Sequence, residues 1–101
     1  INAYARAIAV ELGRSGVRAN VVCPGSIRTP VWDHRLERDP GIMPKLQRLY
    51  PLGRLVNTVE VAEAIGFLAS ERASGITGAT LPVDAGLTAG QLPFVTDILG
   101  A

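Results

Sequence analysis

A short apolar segment that runs straight into a proline-glycine loop constrains the fold more than any other feature of this sequence. Residues 17–22 read VRANVV, and Cys23, Pro24 and Gly25 follow at once. β-Branched residues favour a strand, and proline ends one because it cannot donate to the ladder. Apolar strands of this kind are typical of parallel sheets, which bind ligands in the loops at the carboxyl ends of their strands. The sequence therefore predicts an α/β fold with a ligand-binding loop after this strand.

Alanine-rich residues 2–13 predict a helix, because alanine is the best helix former. Apolar residues recur along it at three- and four-residue spacing, and small residues form a second stripe. A helix that is apolar on two sides packs on its sheet with one face and on a further partner with the other. The first stripe comprises Ile1, Tyr4, Ala5, Ile8, Ala9 and Leu12, and the second comprises Ala3, Ala7 and Val10.

The second half of the chain predicts one more helix and one more strand. The helix is expected over residues 58–70, with Thr58 as its N-cap. Residues 80–83 predict a strand, which Pro82 places at a sheet edge or at a subunit contact. Two strands are too few for the sheet that the first strand requires, so we expect part of a doubly wound parallel sheet, incomplete on its own. The buried side of the helix is expected to comprise Val61, Ala62, Ile65, Leu68 and Ala69.

The chain begins at Ile1, within the first predicted helix and without an initiator methionine. We expect it to be the C-terminal portion of a longer protein, with residues 1–101 belonging to one domain. Because the true N-terminus is then missing, the sequence says nothing about a targeting signal.

The composition argues against several classes of protein. Ten basic and nine acidic residues give a formal net charge of +1, which argues against an electrostatic nucleic-acid binder. No apolar run reaches the roughly 18 residues that a membrane span needs. Cys23 is the one cysteine, which fits a reducing, cytoplasmic location and excludes a disulfide within the chain. We predict no metal site.

An ordered set of motifs extends along most of the chain. The proline-glycine loop has the pattern N-x-V-x-P-G-x-x-x-T, carried by Asn20, Pro24, Gly25, Ile27 and Thr29. Further motifs follow as PLGR at 51–54, EVA at 60–62, FLAS at 67–70, ITG at 76–78 and VDAG at 83–86. Together they resemble the short-chain dehydrogenase/reductase family, over roughly residues 1–88. Ala85 departs from the glycine of the family pattern, and we expect that change to be harmless.

The resemblance implies a Rossmann-type fold in which this loop holds the nicotinamide end of NAD(H) or NADP(H). Pro24 and Gly25 would line the ring, since glycine lets a backbone approach a flat ligand. The Ile27 backbone and the Thr29 hydroxyl, which can donate and accept, would bind the carboxamide. The alternative is an ordinary turn followed by a helix cap.

The remaining machinery of that family is absent from the sequence. No glycine-rich phosphate loop lies between a strand and a helix. The catalytic Tyr-x-x-x-Lys is missing as well, since Tyr4 is followed by Ile8 where lysine would stand. The resemblance places that tyrosine and lysine upstream of Ile1, so we expect no catalytic residue in this chain and no activity of the chain alone. A nucleophilic pair of Cys23 and His34 lacks a third, orienting group.

Residues 30–56 match the substrate lid of the family in position. Short helices are plausible near 33–38 and 43–49, and Val31, Trp32, Met43 and Leu46 give the lid an apolar lining. Such a lining would suit a hydrophobic or ring-shaped substrate. Arg54 of the PLGR motif is expected to anchor the loop.

By resemblance, the whole protein is an NAD(P)-dependent oxidoreductase that interconverts an alcohol and a carbonyl. Two alternatives remain, namely a family member that has lost catalysis and serves as a binding or regulatory subunit, and a truncated product without activity. The choice between NAD and NADP is open, because the residue that contacts the adenosine ribose lies outside this chain. The doubly apolar first helix and the apolar segment from Leu81 to Leu99 predict a homo-oligomer, a dimer or a tetramer.

Overall fold

Residues 1–100, the part of the chain that the computed structural model describes, contain four α-helices and four short strands. The helices are α1 (Asn2–Leu12), α2 (Pro30–Arg38), α3 (Ile42–Leu49) and α4 (Thr58–Ala69). The strands are β1 (Val21–Pro24), β2 (Ile27–Arg28), β3 (Val56–Asn57) and β4 (Thr80–Val83). Short 3-10 turns lie at 13–15, 71–73 and 87–89, and a π-helical turn spans Phe94–Ile98.

The strands form two parallel pairs. β1 pairs with β4 from Val21 opposite Thr80 to Pro24 opposite Val83, and β2 pairs with β3 through Ile27 and Val56. Parallel neighbours need a crossover connection, which α2 and α3 provide between β2 and β3. The prediction of part of a doubly wound α/β fold is confirmed, with helix, strand, lid, helix and strand in the expected order. The two-residue strands β2 and β3 were not anticipated.

The first strand begins at Val21, so the predicted start at residue 17 is wrong. Residues just before it bond to the turn before β4 instead of entering a ladder. The Asn20 side-chain oxygen accepts from the Ala79 N–H at 3.0 Å, and its amide donates to the Ile76 carbonyl at 3.0 Å. Arg18 donates to the Leu68 carbonyl at 2.8 Å. These contacts fix the position of β1 against β4 and the end of α4.

Helix α4 also begins differently from the prediction, which had Thr58 as its N-cap. Asn57 is its N-cap and Thr58 its first helical residue. The Glu60 carboxylate accepts from the Asn57 N–H at 2.9 Å, as in a capping box. Asparagine caps a helix at least as well as threonine does, and a glutamate three residues later completes the motif.

The buried apolar residues among residues 1–100 are spread over α1, the segment from the end of α3 to β3, and the end of α4 with the turn that follows it. They are Ala9, Tyr50, Leu55, Val56, Leu68 and Ala73. Only Leu68 of the five positions expected to be buried in α4 is buried, and Ile65 is 53% exposed. Of the stripe on α1, only Ala9 is buried. Among residues 1–100, α4 packs against β1, β3 and β4, whereas apolar positions of α1 such as Tyr4 and Val10 stay exposed.

The lid contains the two α-helices α2 and α3, although residues 30–56 include four prolines. α2 starts at Pro30, three residues before the predicted helix, because proline suits the first helical position. α3 starts at Ile42, next to the predicted start.

Candidate functional site

The loop between β1 and α2, residues 24–29, carries all four residues assigned to cofactor binding. Pro24 ends β1, and the Gly25 N–H donates to the Val83 carbonyl at 3.0 Å. Ile27 lies in β2, and Thr29 is the N-cap of α2. The loop follows the carboxyl end of a parallel strand, where open α/β sheets hold ligands.

Gly25 lies where a β-carbon would make an unusually tight contact with the turn after β4. A β-carbon on residue 25 would lie 3.0 Å from the Asp84 β-carbon and 3.1 Å from its α-carbon. Glycine therefore allows the close approach of this loop to the turn after β4 without displacing Asp84. The sequence predicts a glycine here for the approach of a ligand, and the structure adds this contact within the protein.

Asp84 holds that turn through its side chain. The residue is 8% exposed, and its carboxylate accepts from the Gly86 N–H at 3.0 Å and from the Thr88 N–H at 3.1 Å. The Thr88 hydroxyl donates to it at 2.5 Å. This hydroxyl, more than the backbone donors, keeps the pKa of Asp84 below its ordinary value. The carboxylate is thus charged and occupied by the turn.

Ala85, which replaces a glycine of the family pattern, adopts a backbone conformation that favours glycine. Its φ is +54°, in the left-handed region that favours glycine. At this φ an alanine is less favourable than a glycine, which agrees with the glycine of the family pattern.

The Ile27 N–H points away from its partner strand. The Val56 N–H donates to the Ser26 carbonyl at 3.2 Å. The Ser26 carbonyl and the Ile27 N–H belong to one trans peptide unit, so they point in opposite directions. A donor directed away from β3 is therefore present where the resemblance places a carboxamide oxygen.

Thr29 has the backbone of an N-cap, with φ of −123° and ψ of 170°, but its hydroxyl makes no cap hydrogen bond. The α2 N-terminus therefore does not use the hydroxyl. This observation weakens the alternative in which Thr29 is only a helix cap.

Pro24 and Gly25 line a cavity of about 280 Å³ beside β4. Ile27 and Thr29 are not among its lining residues. The structure therefore places Pro24 and Gly25, which were expected to line the ring, at this cavity, and Ile27 and Thr29, which were expected to bind the carboxamide, farther along the loop. The lining comprises Cys23, Pro24, Gly25, Thr80, Pro82, Asp84, Leu87 and Thr88.

The four lid residues differ in exposure. Trp32, Met43 and Leu46 are half-buried, whereas Val31 is 77% exposed. The guanidinium of Arg35 lies 5.3 Å from the centre of the Trp32 ring, within cation–π range. A groove of about 480 Å³ lies between α2 and the start of α3, and of Val31, Trp32, Met43 and Leu46 only Val31 lines it.

Tyr50 is the site residue whose role the sequence did not reveal. It is 2% exposed, and its hydroxyl accepts from the Ser26 N–H at 3.2 Å. The next residues contact the turn after β4. The Leu52 N–H donates to the Ala85 carbonyl at 3.1 Å. The PLGR motif that follows Tyr50 was the only signal that this segment has a fixed place.

Arg54 anchors the end of the lid, as expected. Its two guanidinium nitrogens donate to the two Glu60 oxygens at 2.7 and 2.8 Å. The Arg54 hydrogen bond, followed by the Asn57 N–H, lowers the pKa of Glu60 to about 2. The pair joins the lid to the first turn of α4.

Other candidates for chemistry do not form a site. Cys23 and His34 line different cavities, so the structure does not pair them. Tyr4 is 72% exposed on α1. Within residues 1–100, no three histidine, cysteine, aspartate or glutamate side chains are grouped to hold a metal ion. No helix in this described part combines the length and the apolar character that a membrane crossing requires.

Comparison with known proteins identifies the family. The sequence model of a family described as enoyl-(acyl carrier protein) reductase matches residues 1–88. An uncharacterized oxidoreductase of Schizosaccharomyces pombe is 45% identical over 93 residues, which make up 92% of this chain and 36% of that protein. An oxidoreductase of the short-chain dehydrogenase/reductase family from Burkholderia thailandensis superimposes with a TM-score of 0.90 at 44% identity. The superposition covers 97% of this chain and 38% of that one.

A third likeness comes with a bound cofactor. 4-Hydroxyisoleucine dehydrogenase complexed with NADH matches with a TM-score of 0.80 at 27% identity, over 89% of this chain and 37% of that one. In each of these comparisons, this chain spans little more than a third of the other protein. The family match covers most of the chain and coincides with the motifs from Asn20 to Gly86. The chain therefore belongs to the short-chain dehydrogenase/reductase family of oxidoreductases.

Proposed function

We propose that this chain is the C-terminal part of an NAD(P)-dependent oxidoreductase that interconverts an alcohol and a carbonyl. In this proposal, residues 24–29 form the wall against which the nicotinamide lies. The observation that carries it is the pair of unused groups on this loop. The Ile27 N–H is directed away from β3, and the Thr29 hydroxyl takes no part in the cap of α2.

The residues of the loop fit a nicotinamide carboxamide chemically. An N–H such as that of Ile27 donates to the amide oxygen, and a hydroxyl such as that of Thr29 accepts from the amide nitrogen. Pro24 and Gly25 offer a flat surface without a long side chain. The NADH complex of 4-hydroxyisoleucine dehydrogenase supports a nicotinamide cofactor for this chain as well. When bound, such a cofactor supplies or accepts the hydride.

The chain's own residues then orient the ring and leave proton transfer to groups elsewhere. Two hydrogen bonds to the carboxamide would fix which face of the ring meets the substrate. Among residues 1–100, Asp84 has its carboxylate beside this loop, and the oxygens of that carboxylate accept hydrogen bonds from Gly86 and Thr88 of its own turn. The proposal therefore assigns the acid/base tyrosine and its lysine to a part of the protein outside residues 1–101, in keeping with the family resemblance.

The substrate is proposed to be a small alcohol or carbonyl compound with an apolar body. Trp32, Met43 and Leu46 of the lid are half-buried, and they offer aromatic and thioether surface to such a body. The fold alone does not select a substrate, so this part of the proposal depends on the lid side chains.

The test is cofactor binding and turnover by the full-length protein. NADH and NADPH are titrated by fluorescence, and oxidation of the bound form is followed with a panel of aldehydes and ketones. We expect binding of one dinucleotide and reduction of apolar members of the panel. Binding without any turnover would favour the non-catalytic, regulatory alternative. Failure to bind either dinucleotide would refute the proposal.

A further inference from the structure

We propose that Tyr50 is a positioning residue that couples the substrate lid to the β1–α2 loop. This inference rests on the nicotinamide role proposed for that loop. Tyr50 touches neither a reacting atom nor the carboxamide-binding groups themselves. It acts through Ser26, whose N–H donates to the Tyr50 hydroxyl at 3.2 Å.

On the lid side, Tyr50 is part of the end of α3. Its N–H donates to the Leu46 carbonyl at 3.2 Å, and its own carbonyl accepts from the Gly53 N–H at 2.7 Å. Leu46 belongs to the proposed lid lining. A displacement of the last turn of α3 therefore moves the Tyr50 backbone, and the ring is 2% exposed, so it has little room to move independently.

On the loop side, Ser26 has both of its backbone groups engaged. Its N–H donates to Tyr50, and its carbonyl accepts from the Val56 N–H at 3.2 Å. The second of these bonds fixes the peptide unit that contains the Ile27 N–H. The first fixes the preceding unit, and the two units share the Ser26 α-carbon. The orientation of the Ile27 donor thus depends on Tyr50.

The segment after Tyr50 adds a second contact with the same region. Gly86 has φ of +90°, and a β-carbon on it would lie 2.8 Å from the Pro51 ring. The Leu52 N–H donates to the Ala85 carbonyl. Residues 50–52 are therefore held between the loop and the turn after β4. Tyr50 reaches the loop with its hydroxyl, which can be removed alone without changing the backbone contacts of this segment.

The test compares Tyr50→Phe with Tyr4→Phe in the full-length protein. Both variants remove one hydroxyl from a tyrosine, but Tyr4 is exposed on α1. The dissociation constant is measured for NADH or NADPH, whichever the wild type binds. Hydrogen exchange of residues 42–49 is measured with and without that dinucleotide. A thermal melt establishes that each variant is folded.

We expect Tyr50→Phe to weaken dinucleotide binding about fivefold, the order of one lost hydrogen bond. We also expect it to abolish the protection of residues 42–49 that the dinucleotide induces in the wild type. Tyr4→Phe should change neither quantity. A Tyr50→Phe protein that binds the dinucleotide as the wild type does, or that keeps the induced protection, would overturn the inference.

A second measurement separates this inference from the proposed function and does not need a bound cofactor. Exchange of the Ser26 amide is followed in the wild type and in Tyr50→Phe without ligand. Slow exchange in the wild type that becomes fast in the variant supports the coupling, even if neither dinucleotide binds and the proposed function fails. Fast exchange already in the wild type overturns the inference, whether or not the variant folds.

Discussion

Gly25 and Asp84 lie so close together that a β-carbon on residue 25 would stand 3.0 Å from that of Asp84. The contact joins the loop after β1 to the turn after β4, and the Gly25 N–H bonds to Val83 beside it. Since Asp84 is buried and held by Thr88, it cannot move aside freely. The proposed cofactor loop is therefore supported from behind by the last strand.

Gly25→Ala should consequently destabilise the protein by about 1–3 kcal/mol. The added β-carbon would overpack the contact with the buried Asp84 and displace the neighbouring backbone. The change is measured as the shift in the urea midpoint. Gly66→Ala is the matched control. Residue 66 lies inside α4 with no atom within 4 Å of the added carbon, so alanine should stabilise it by about 1 kcal/mol. If Gly25→Ala is as stable as the wild type, the turn after β4 moves to accept the β-carbon and the prediction is wrong.

Thr29→Val should weaken dinucleotide binding several-fold in the full-length protein while leaving its thermal midpoint unchanged. One hydrogen bond to a bound amide contributes about 1 kcal/mol, and the hydroxyl makes no cap hydrogen bond in the helix. The measurement is the Michaelis constant for the cofactor. Thr58→Val, at the exposed first position of α4, is the control and should have no effect on it. A loss of stability with unchanged cofactor kinetics would assign Thr29 to the helix alone.

Ala85→Gly should raise the stability by about 0.5–1 kcal/mol. Alanine at a φ of +54° carries a left-handed strain of about 1–2 kcal/mol, and part of the gain is offset by the greater unfolded-state entropy of glycine. Ala62→Gly in α4 has the opposite expectation, a loss of about 1 kcal/mol, since residue 62 is helical. Denaturant unfolding of both variants measures the contrast, and a destabilised Ala85→Gly would contradict the strain.

Glu60→Gln should lower the thermal midpoint at neutral pH and have progressively less effect in acid. The Arg54 hydrogen bond lowers the pKa of Glu60 from 4.5 to about 2, so its charged form is favoured in the folded state. Its contribution is complete above the unfolded value and is lost as the pH falls from about 5 towards 2. The pair is exposed, so the effect is small. Thermal melts from pH 7 to pH 2 test this pH dependence, and Glu63→Gln at an exposed position is the control. A difference in thermal midpoint between Glu60→Gln and the wild type that does not change with pH would contradict the role of the Glu60 charge.

We propose that the full-length protein is a homo-oligomer in which α1 contacts a second copy. Val10 and the small residues Ala3 and Ala7 are exposed on this helix among residues 1–100. Ala7→Arg should then shift the assembly towards monomer, because a charge without a partner would enter the contact. Light scattering measures the mass. Ser15→Arg, in the turn after α1, should leave the mass unchanged, and a monomeric wild type would rule out the arrangement.

Local chemistry determined much of this protein in advance. β-Branched residues followed by Pro24 predicted a strand and its end, and alanine predicted α1. The ordered motifs from Asn20 to Gly86 predicted the family, and that resemblance placed the lid at residues 30–56. The strand and helix signals each lie within a few neighbouring residues, which is the range over which propensity, capping and turn chemistry act.

Tertiary contacts decided the rest. The start of β1 depends on Asn20 reaching residues 56 and 59 positions away, and the place of Tyr50 depends on Ser26, 24 positions away. The strain at Ala85 appears only when the turn after β4 closes on Asp84. No periodicity records such pairs, because they form only when the chain brings distant backbone groups together and their hydrogen bonds must be satisfied out of water.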